Sequence, residues 1–210
     1  MSDSEVSDVT AQPPSPGELR MRAATIGEPQ RIDGAIELRP YDDAWPHLYA
    51  VEAARVAGVL GVKALLLEHV GSTSVPGLPA KPIIDMLLVV ADSSAEDDYV
   101  SPMERAGYVL RIREPDWYEH RLLKGPGANI NLHVFSSGCV EIDRMLRFRN
   151  HLRTDASDRE LYAQTKRELA ARRWNYVQEY ADAKTEVVEA IIMRAAQRDR
   201  QGVTRTSHRQ

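Results

Sequence analysis

Apolar residues follow a strand-like pattern along the first two thirds of the chain and a helical pattern along the last third. Short apolar or alternating runs bounded by turn residues predict strands. These runs cover residues 36–39, 64–70, 83–90, 108–112, 121–124 and 130–135. The last two are joined by the turn Gly125–Pro126–Gly127. The run 83–90 is apolar on both faces, which is typical of a buried strand.

Two helices are predicted among these strands. The first follows Asp42 or Asp43, either of which can cap its start, and Pro46 suits its first turn. Gly61 ends it. Its body has helical spacing at Leu48, Val51, Ala54, Arg55, Val59 and Leu60. Residues 103–107 have the pattern of the end of a second helix.

From residue 141 onward the apolar positions form three helical stripes. They consist of Met145, Phe148 and Leu152; of Leu161, Tyr162, Thr165 and Leu169; and of Tyr176, Val177, Tyr180, Lys184, Val187, Val188, Ile191 and Ile192. We therefore predict an α/β (α+β) fold in which a mixed sheet with flanking helices is followed by a helical C-terminal third. These helices are expected to pack on the sheet, because their apolar stripes need a partner.

The two ends of the chain differ in composition from the rest. Residues 1–30 are rich in serine, proline and acidic residues, and they predict a disordered tail because they offer too little apolar surface to offset the entropy of ordering. Residues 201–210 predict a frayed tail for the same reason. We expect a single domain over 31–200, with the sheet core in 31–140 and the helical part in 141–200, since 210 residues suit one domain.

Charge and cysteine content exclude several classes of protein. A net charge of -4 argues against a dedicated nucleic-acid binder, which usually carries a basic balance. Cys139 is the single cysteine, so neither an intrachain disulfide nor a cysteine-rich zinc site can form. No apolar run approaches the roughly 20 residues that span a bilayer, and the acidic, polar start is unlike a signal peptide. We expect a cytoplasmic protein without a membrane partner.

The segment 68–86, EHVGSTSVPGLPAKPIIDM, has the strongest functional pattern in the chain. Gly71 lets the backbone approach a phosphate closely, and the Ser72 and Thr73 hydroxyls can donate to its oxygens. Asp85 stands in an otherwise apolar strand, where a carboxylate needs a partner. At an exposed strand end it could hold a divalent cation, since Mg²⁺ prefers oxygen ligands and substrate phosphates.

This segment resembles the signature of the nucleotidyltransferase superfamily, which has an apolar residue, Gly-Ser, a short spacer and an Asp-containing strand. The resemblance is closer still to the GrpB family of that superfamily, and it covers about 36–196. Further matching residues are YDDAWP (41–46), NLHVF (131–135), FRNHLR (148–153), Tyr162, Lys166, Tyr180 and Lys184. The chain is also similar to the C-terminal extension of some actinobacterial dephospho-coenzyme A kinases, although no GxxxxGK[ST] loop is present in this sequence.

The resemblance implies an enzyme that uses a nucleoside triphosphate with Mg²⁺ or Mn²⁺ and transfers a nucleotidyl group to a hydroxyl or amine of a small molecule or protein. Asp85 and His133 are the predicted catalytic residues. The predicted metal ligands are Asp85, Glu68, His69 and His133. The predicted phosphate-binding residues are Gly71, Ser72, Thr73, Ser74, Lys81, Arg121, Lys124 and Arg149. Arg149 suits phosphate oxygens because a guanidinium presents its donors as a fork, and Arg153 and Lys166 could line the same pocket.

The chain departs from the superfamily in its acidic residues. A second acid usually stands two positions after the first, and here that position is Leu87. The strand that usually supplies a third acid offers Asn129, Asn131 and His133, the last two on one face. Two further functions therefore stay open: non-catalytic binding of a nucleotide or a coenzyme A-like phosphate ligand, and an accessory or assembly role beside dephospho-coenzyme A kinase or another enzyme.

Each candidate residue also has a structural interpretation. Asp85 could bond the turn 71–74, and Gly71 could merely permit a tight turn. His69 is interpreted as a half-buried histidine bonded to the backbone rather than as a ligand. Lys81 could be a solvated loop charge. The arginines between residues 144 and 153 could form an ordinary solvated helix face.

Overall fold

The computed structural model describes residues 15–32, 35–126 and 129–206 of the chain. Five strands form one mixed sheet in the order β1-β2-β5-β4-β3. β2 and β5 are parallel, and the other three neighbouring pairs are antiparallel. The strands are β1 (Leu66–Val70), β2 (Ile84–Val90), β3 (Val109–Glu114), β4 (His120–Lys124) and β5 (Ile130–Ser136).

Five of the six predicted strands are present, with ends that differ by a few residues. The exception is the run 36–39, which makes only an isolated bridge between Arg39 and Ala80. Its prediction as a strand was wrong, because alternation over four residues identifies a strand only when a neighbouring strand pairs with it. Gly127 of the predicted β4–β5 turn lies outside the described residues.

Seven helices surround the sheet in the described part of the chain. They are α1 (Pro16–Ala24), α2 (Trp45–Leu60), α3 (Val100–Arg105), α4 (Val140–Thr154), α5 (Ala156–Ala170), α6 (Val177–Asp182) and α7 (Thr185–Thr206). α2 begins with Pro46 in its first turn and ends at Gly61, as predicted. The Asp42 carboxylate accepts a hydrogen bond from the Ala44 amide at 2.9 Å, just before the helix. The predicted architecture, a mixed sheet with flanking helices and a helical C-terminal third, is confirmed.

The two predicted tails are partly helical. α1 occupies residues that were expected to be disordered: the Ser15 hydroxyl caps it, and Glu18 and Arg22 both bond the Tyr176 hydroxyl. Thr25 then bridges to Ile112 of β3. At the other end, α7 continues to Thr206. Both predictions considered local composition alone, whereas tertiary contacts stabilise α1; residues 1–14 and 207–210 lie outside the described part.

Apolar packing covers both faces of the sheet. On one face, Trp45 and Val56 of α2 and Met103 of α3 bury Met86 and Leu88 of β2. On the other face, α4 covers Leu87, Val89 and Phe135 through Ile142 and Met145. A third cluster joins α4, α5 and α7 to the loop between β1 and β2, and it contains Leu152, Tyr162, Ile191, Val75 and Leu78. The loop that follows β1 is therefore held firmly on the C-terminal helices.

Candidate functional site

The predicted glycine turn and the strand aspartate are in direct contact. Val70, the last residue of β1, pairs with Asp85 on β2, which places Gly71 beside the carboxylate. Gly71 has φ +68° and ψ -173°, a conformation that is essentially restricted to glycine. A Cβ atom at this position would lie 2.9 Å from Asp85 Cβ and would collide with Asp85 Oδ2. Gly71 is therefore required for both its backbone conformation and its lack of a side chain.

Asp85 begins a row of polar side chains across three strands. Its Oδ1 accepts a hydrogen bond of 2.7 Å from the Asn131 amide on β5. Asn131 Oδ1 in turn accepts one of 2.5 Å from Lys124 on β4. Burial raises the pKa of the Asp85 carboxyl, but His133, Asn131 and Lys81 together hold it below its usual value. The Asp85 side chain is 27% exposed, so the ionised carboxylate is open to a ligand.

His133 lies on the same face of the sheet, two residues beyond Asn131. Its Nε2 atom is 3.7 Å from Asp85 Oδ1. Its Nδ1 atom is 3.1 Å from Nε2 of His120, and Nδ1 of His120 is 2.7 Å from Glu114 Oε2. A line of polar contacts thus runs from Asp85 through two imidazoles to a second carboxylate at the edge of the sheet.

These residues line a cavity of about 390 Å³ between the sheet and the C-terminal helices. Gly71, Ser72, Asp85, Asn131 and His133 form part of its wall. Four lysines and one arginine also line it: Lys81, Lys124, Lys166, Lys184 and Arg111. Asp85 is the single acidic residue among the lining residues, so the cavity is electropositive although the whole chain carries a charge of -4.

Lys166 connects α5 to the turn after β1. Its ammonium donates to the Ser72 hydroxyl at 3.1 Å and to the Pro79 carbonyl, and it lies 4.8 Å from the centre of the Tyr162 ring. Because an ammonium can only donate, Ser72 accepts this bond and keeps its own hydrogen for another acceptor. Burial, together with the nearby charges of Lys184 and Arg167, lowers the pKa of Lys166 to about 7.

Lys184 stands at the junction of α6 and α7. Its ammonium lies 4.4 Å from the centre of the Tyr180 ring. Burial and then the neighbouring Lys81 lower its pKa to about 8, against the opposing effects of Asp85 and Asp182. Burial therefore destabilises the charged forms of Lys166 and Lys184, and a bound anion would stabilise them.

Tyr180 offers a further donor in the cavity wall. Among the described residues, its hydroxyl is the buried side-chain polar atom that has no hydrogen-bond partner. Burial raises its pKa to about 12, so the hydroxyl keeps its proton. Since buried polar atoms normally have partners, this fully buried hydroxyl is an unsatisfied donor next to the cavity.

The opposite end of the cavity is largely apolar and includes the N-terminal segment. Met21 and Thr25, at the end of α1, lie there with Pro29 and Gln30. Leu38, Ile112, Val177 and Ala181 continue this wall. The cavity therefore has one cationic end around Ser72 and one mainly apolar end, which Arg111 also borders.

Several predicted phosphate-binding residues have structural partners instead. The Thr73 hydroxyl donates to the Ile83 carbonyl at 3.0 Å, and the Ser74 hydroxyl donates to the Gly71 carbonyl at 2.6 Å. Both residues are buried and neither lines the cavity. They shape the turn that presents Gly71 and Ser72, so their prediction as direct phosphate donors is corrected.

The two predicted phosphate-binding arginines lie outside the cavity. Arg121 is 4% exposed and bonds Glu96 and Glu119. Arg149 on α4 donates to Glu68 at 2.6 Å and to the His69 carbonyl at 2.8 Å, which fastens α4 to β1. Arg153 likewise donates to the Ser74 carbonyl. Of the six basic residues considered from the sequence for this pocket, three line it, namely Lys81, Lys124 and Lys166.

Two predicted metal ligands are not brought to Asp85. His69 is on the opposite face of β1, since neighbouring strand residues alternate between faces. There it stacks on Tyr49 at 4.8 Å and bonds the Thr73 hydroxyl at 3.1 Å, and burial lowers its pKa to about 4. Glu68 is engaged by Arg149. Asp85 and His133 are the two predicted ligands that the structure brings together.

A second group of potential metal ligands is already neutralised. His151, Asp155 and Asp158 lie close together near the α4–α5 junction. Arg194 makes a two-pronged contact with Asp158, and Arg198 contacts Asp155, which also caps α5. These contacts explain the cluster as an ion-pair network that joins α5 to α7.

Sequence interpretation placed Lys184 and Tyr180 in an apolar helical stripe and did not single out His120 or Glu114. A lysine within an apolar stripe, four residues after a tyrosine, was the signal that could have revealed the first pair. In the part of the chain that the structure describes, no helix is long and apolar enough to cross a bilayer.

Comparison with known proteins gives consistent matches. A family model described as "GrpB protein" matches residues 35–194. UPF0157 protein BH1888 of Halalkalibacterium halodurans is 58% identical over 83% of this chain and 90% of its own length. The crystal structure of the conserved protein GrpB from Enterococcus faecalis has a TM-score of 0.69 at 30% identity, covering 77% of this chain and 98% of that one. A dephospho-CoA kinase of Mycolicibacterium paratuberculosis is 26% identical over 81% of this chain and 51% of the kinase.

Proposed function

The chain belongs to the GrpB family, and we propose that its cavity binds a nucleoside triphosphate with a divalent cation and transfers the nucleotidyl group to a hydroxyl or amine. The triphosphate occupies the cationic end, and the nucleoside lies toward the apolar end. The observation that carries this proposal is the convergence of four lysines on the Ser72 turn and on one ionised carboxylate.

The lysines match the charge of a polyphosphate. Lys166 and Lys184 approach from the helices, whereas Lys81 and Lys124 approach from the sheet side. Asp85 packs directly on Gly71, and the Ser72 hydroxyl beside it accepts from Lys166, so its own hydrogen is available for a phosphate oxygen. A single phosphate needs fewer cations, so the number of lysines favours a di- or triphosphate.

Asp85 and His133 fit a divalent cation. The separation of 3.7 Å between Oδ1 and Nε2 is too long for a hydrogen bond but suits two ligands of one ion. Carboxylate oxygen and imidazole nitrogen are both common ligands of divalent metals. A cation bound there would neutralise phosphate charge and polarise the phosphorus–oxygen bond. Both Mg²⁺ and Mn²⁺ belong to the proposal.

In the transfer step, one bond to the α-phosphorus forms and one breaks. The acceptor oxygen or nitrogen forms a bond to the α-phosphorus, and the bond from that phosphorus to the α–β bridging oxygen breaks. Pyrophosphate leaves with the electron pair, and the proton of the acceptor passes to solvent. Lys166 and Lys184 stabilise the charge that grows on the leaving group, as positioned cations do in phosphoryl-type transfer.

A second candidate is binding of a nucleotide or a coenzyme A-like phosphate ligand without turnover. Leu87 favours it, because this residue stands where the second acid is expected and is fully buried under α4. No rearrangement of its own side chain could supply a metal ligand. This candidate includes an accessory role beside a dephospho-CoA kinase, because the chain is similar to about half of such an enzyme.

One pair of measurements separates the two candidates. Nucleoside triphosphates are screened for thermal stabilisation with Mg²⁺ or Mn²⁺, and release of pyrophosphate is followed in the same samples. Transfer predicts stabilisation and metal-dependent pyrophosphate release that Asp85→Asn abolishes. Binding without turnover predicts stabilisation while the nucleoside triphosphate stays intact. Absence of both stabilisation and pyrophosphate release would contradict the proposal.

A matched pair of lysine variants controls for general effects of charge. Lys184→Met removes a cation of the cavity, whereas Lys63→Met removes an exposed lysine that pairs with Asp98 far from it in the described structure. The proposal predicts loss of stabilisation by nucleotide for the first variant only. Equal effects of the two variants would assign binding to the general surface.

A further inference from the structure

The four lysines of the cavity are held in two different ways. Lys166 donates hydrogen bonds to two groups of the loop after β1, and Lys124 donates one to a side chain of β5. The ammonium groups of Lys81 and Lys184 make neither a hydrogen bond nor an ion pair with any residue that the structure describes. The positions of these two side chains therefore depend on other contacts.

One aromatic ring lies beside both of these lysines. The Nζ atom of Lys184 lies 4.4 Å from the centre of the Tyr180 ring, and that of Lys81 lies 5.4 Å from it. Both distances are within the roughly 6 Å at which the face of an aromatic ring attracts a cation. Such contacts are strongest where water is excluded, and Tyr180 is 1% exposed. Tyr180 is therefore the shared contact of one cation from the helices and one from the loop between β1 and β2.

The helical part of the chain fixes this ring. Tyr180 lies on α6, four residues before Lys184. Trp174 packs edge-on against it with 6.2 Å between the ring centres, and the Trp174 indole N–H donates to the Leu169 carbonyl at the end of α5 at 2.8 Å. The Glu179 carboxylate accepts from two backbone amides at the start of α6. The ring thus has little freedom to move, whereas a lysine side chain has many rotamers.

The two ammonium groups near the ring also repel each other. After burial, the charge of Lys81 is the next cause of the lowered pKa of Lys184. A long side chain could relieve this repulsion by rotating into another rotamer. Attraction to the ring opposes that rotation and keeps both charges in the cavity before an anion binds.

We infer that Tyr180 is a positioning residue whose ring holds the ammonium groups of Lys81 and Lys184 at the cationic end of the cavity, where they meet the phosphates of a ligand. This inference rests on the proposed function and adds a residue that acts through two of its lysines. Ordering a flexible side chain on binding costs free energy, so lysines that are already ordered raise the affinity for an anion. The ring makes this contribution and the hydroxyl does not, because the hydroxyl has no hydrogen-bond partner among the described residues.

The ring contact can be observed without any ligand. Protons above an aromatic ring are shifted upfield in NMR spectra, and labelled lysine makes the Hε protons of Lys81 and Lys184 visible. We expect upfield Hε resonances, assigned with Lys81→Met and Lys184→Met, that Tyr180→Phe retains and Tyr180→Leu returns to ordinary positions. Ordinary Hε positions for both lysines in the wild-type protein would overturn the inference, and this measurement requires no variant that might unfold.

Affinity supplies a second readout, with inorganic triphosphate as the probe. Tyr180→Leu should bind it about 5- to 100-fold more weakly, because two rotamer-rich side chains must then be ordered on binding. Tyr180→Phe should bind like the wild type, because it keeps the ring. Tyr99→Leu is the matched control, since Tyr99 is also 1% exposed but belongs to the cluster under α2 and α3 and does not line the cavity.

A double-mutant cycle tests whether the ring acts through a lysine. Tyr180→Leu should cost clearly less affinity when Lys184→Met is already present, because the contact with that lysine is then gone. Fully additive losses would overturn the inference.

The outcomes separate this inference from the function proposed above. Equal weakening by Tyr180→Phe and Tyr180→Leu would overturn it and assign the contribution to the hydroxyl. Unchanged binding in Tyr180→Leu would overturn it and leave the phosphate site intact. Upfield lysine resonances in a wild-type protein that binds neither inorganic triphosphate nor a nucleoside triphosphate would support the ring contact and contradict the proposed function.

Discussion

The close packing of Asp85 on Gly71 sets a requirement at a single residue. Gly71→Ala should lower the free energy of unfolding by about 1–3 kcal/mol, because alanine is strained in this backbone conformation, and the new methyl group must also displace the carboxylate. Chemical denaturation measures the first effect and nucleotide-dependent stabilisation the second. Gly58→Ala is the matched control, since a Cβ atom there meets nothing within 4 Å. Equal stability of wild type and Gly71→Ala would contradict the geometry.

The lowered pKa values of two lysines predict a pH dependence of binding. Lys166 and Lys184 titrate at about 7 and about 8 in the free protein. Only the protonated forms attract an anion, so affinity for a triphosphate should fall as the pH rises from about 6.5 to about 9. Near pH 8, binding should take up protons, because the ligand raises both pKa values. Calorimetry in buffers of different ionisation enthalpy measures this proton uptake. A net release of protons on binding would contradict the prediction.

Single residues also show what the sequence could predict. The proximity of Asp85 to Gly71 could be predicted because both belong to one continuous segment whose hairpin brings its ends together, whereas their binding roles stay a prediction. Arg149 was assigned wrongly, since the partner of an arginine on a helix depends on where that helix docks, and α4 docks it on Glu68. Lys184 matches the family but was not predicted as a site residue, for the same reason: its position beside the cavity is evident only once α6 and α7 are placed.

At the scale of elements, α1 contributes to the apolar end of the cavity. Met21 and Thr25 lie in this wall, and both precede the residues matched by the family model. We therefore expect deletion of residues 1–25 to weaken binding of a nucleoside triphosphate while leaving the binding of inorganic triphosphate nearly unchanged. Deletion of residues 1–14 is the matched control, because the described cavity wall contains none of them. Equal losses for both ligands would show that α1 supports the fold rather than the nucleoside.

Elements with a long apolar pattern were predicted best, because the pattern identifies them without knowledge of their packing partners. α2 and the buried strand β2 are both of this kind. α1 was not predicted, because its stability depends on contacts with Tyr176 and Ile112, which are far away in sequence. The third C-terminal stripe is divided between α6 and α7, and the break near Ala183 lies within a pattern that reads as one continuous helix.

At the scale of the whole molecule, charge is unevenly distributed. The chain is acidic overall, yet its cavity gathers four lysines around one carboxylate. Binding of a polyanion should therefore weaken with salt, and much of the loss is expected between about 0.05 M and about 0.5 M, where the screening length falls from about 14 Å to about 4 Å. Titrations with inorganic triphosphate at several salt concentrations measure this slope. A slope near zero would indicate that the lysines do not contact the ligand.

The central claim is that this cavity binds a nucleoside triphosphate together with a divalent cation. The most direct measurement is the thermal unfolding of wild type, Lys184→Met and Lys63→Met with nucleoside triphosphate and Mn²⁺ at about 100 times the dissociation constant for the wild type. Ligand at that excess contributes about 2.7 kcal/mol, so the wild type and Lys63→Met should unfold roughly 5–10 °C higher. Lys184→Met should show a clearly smaller shift. An unchanged unfolding temperature in all three proteins, across every nucleoside triphosphate tried, would contradict the account.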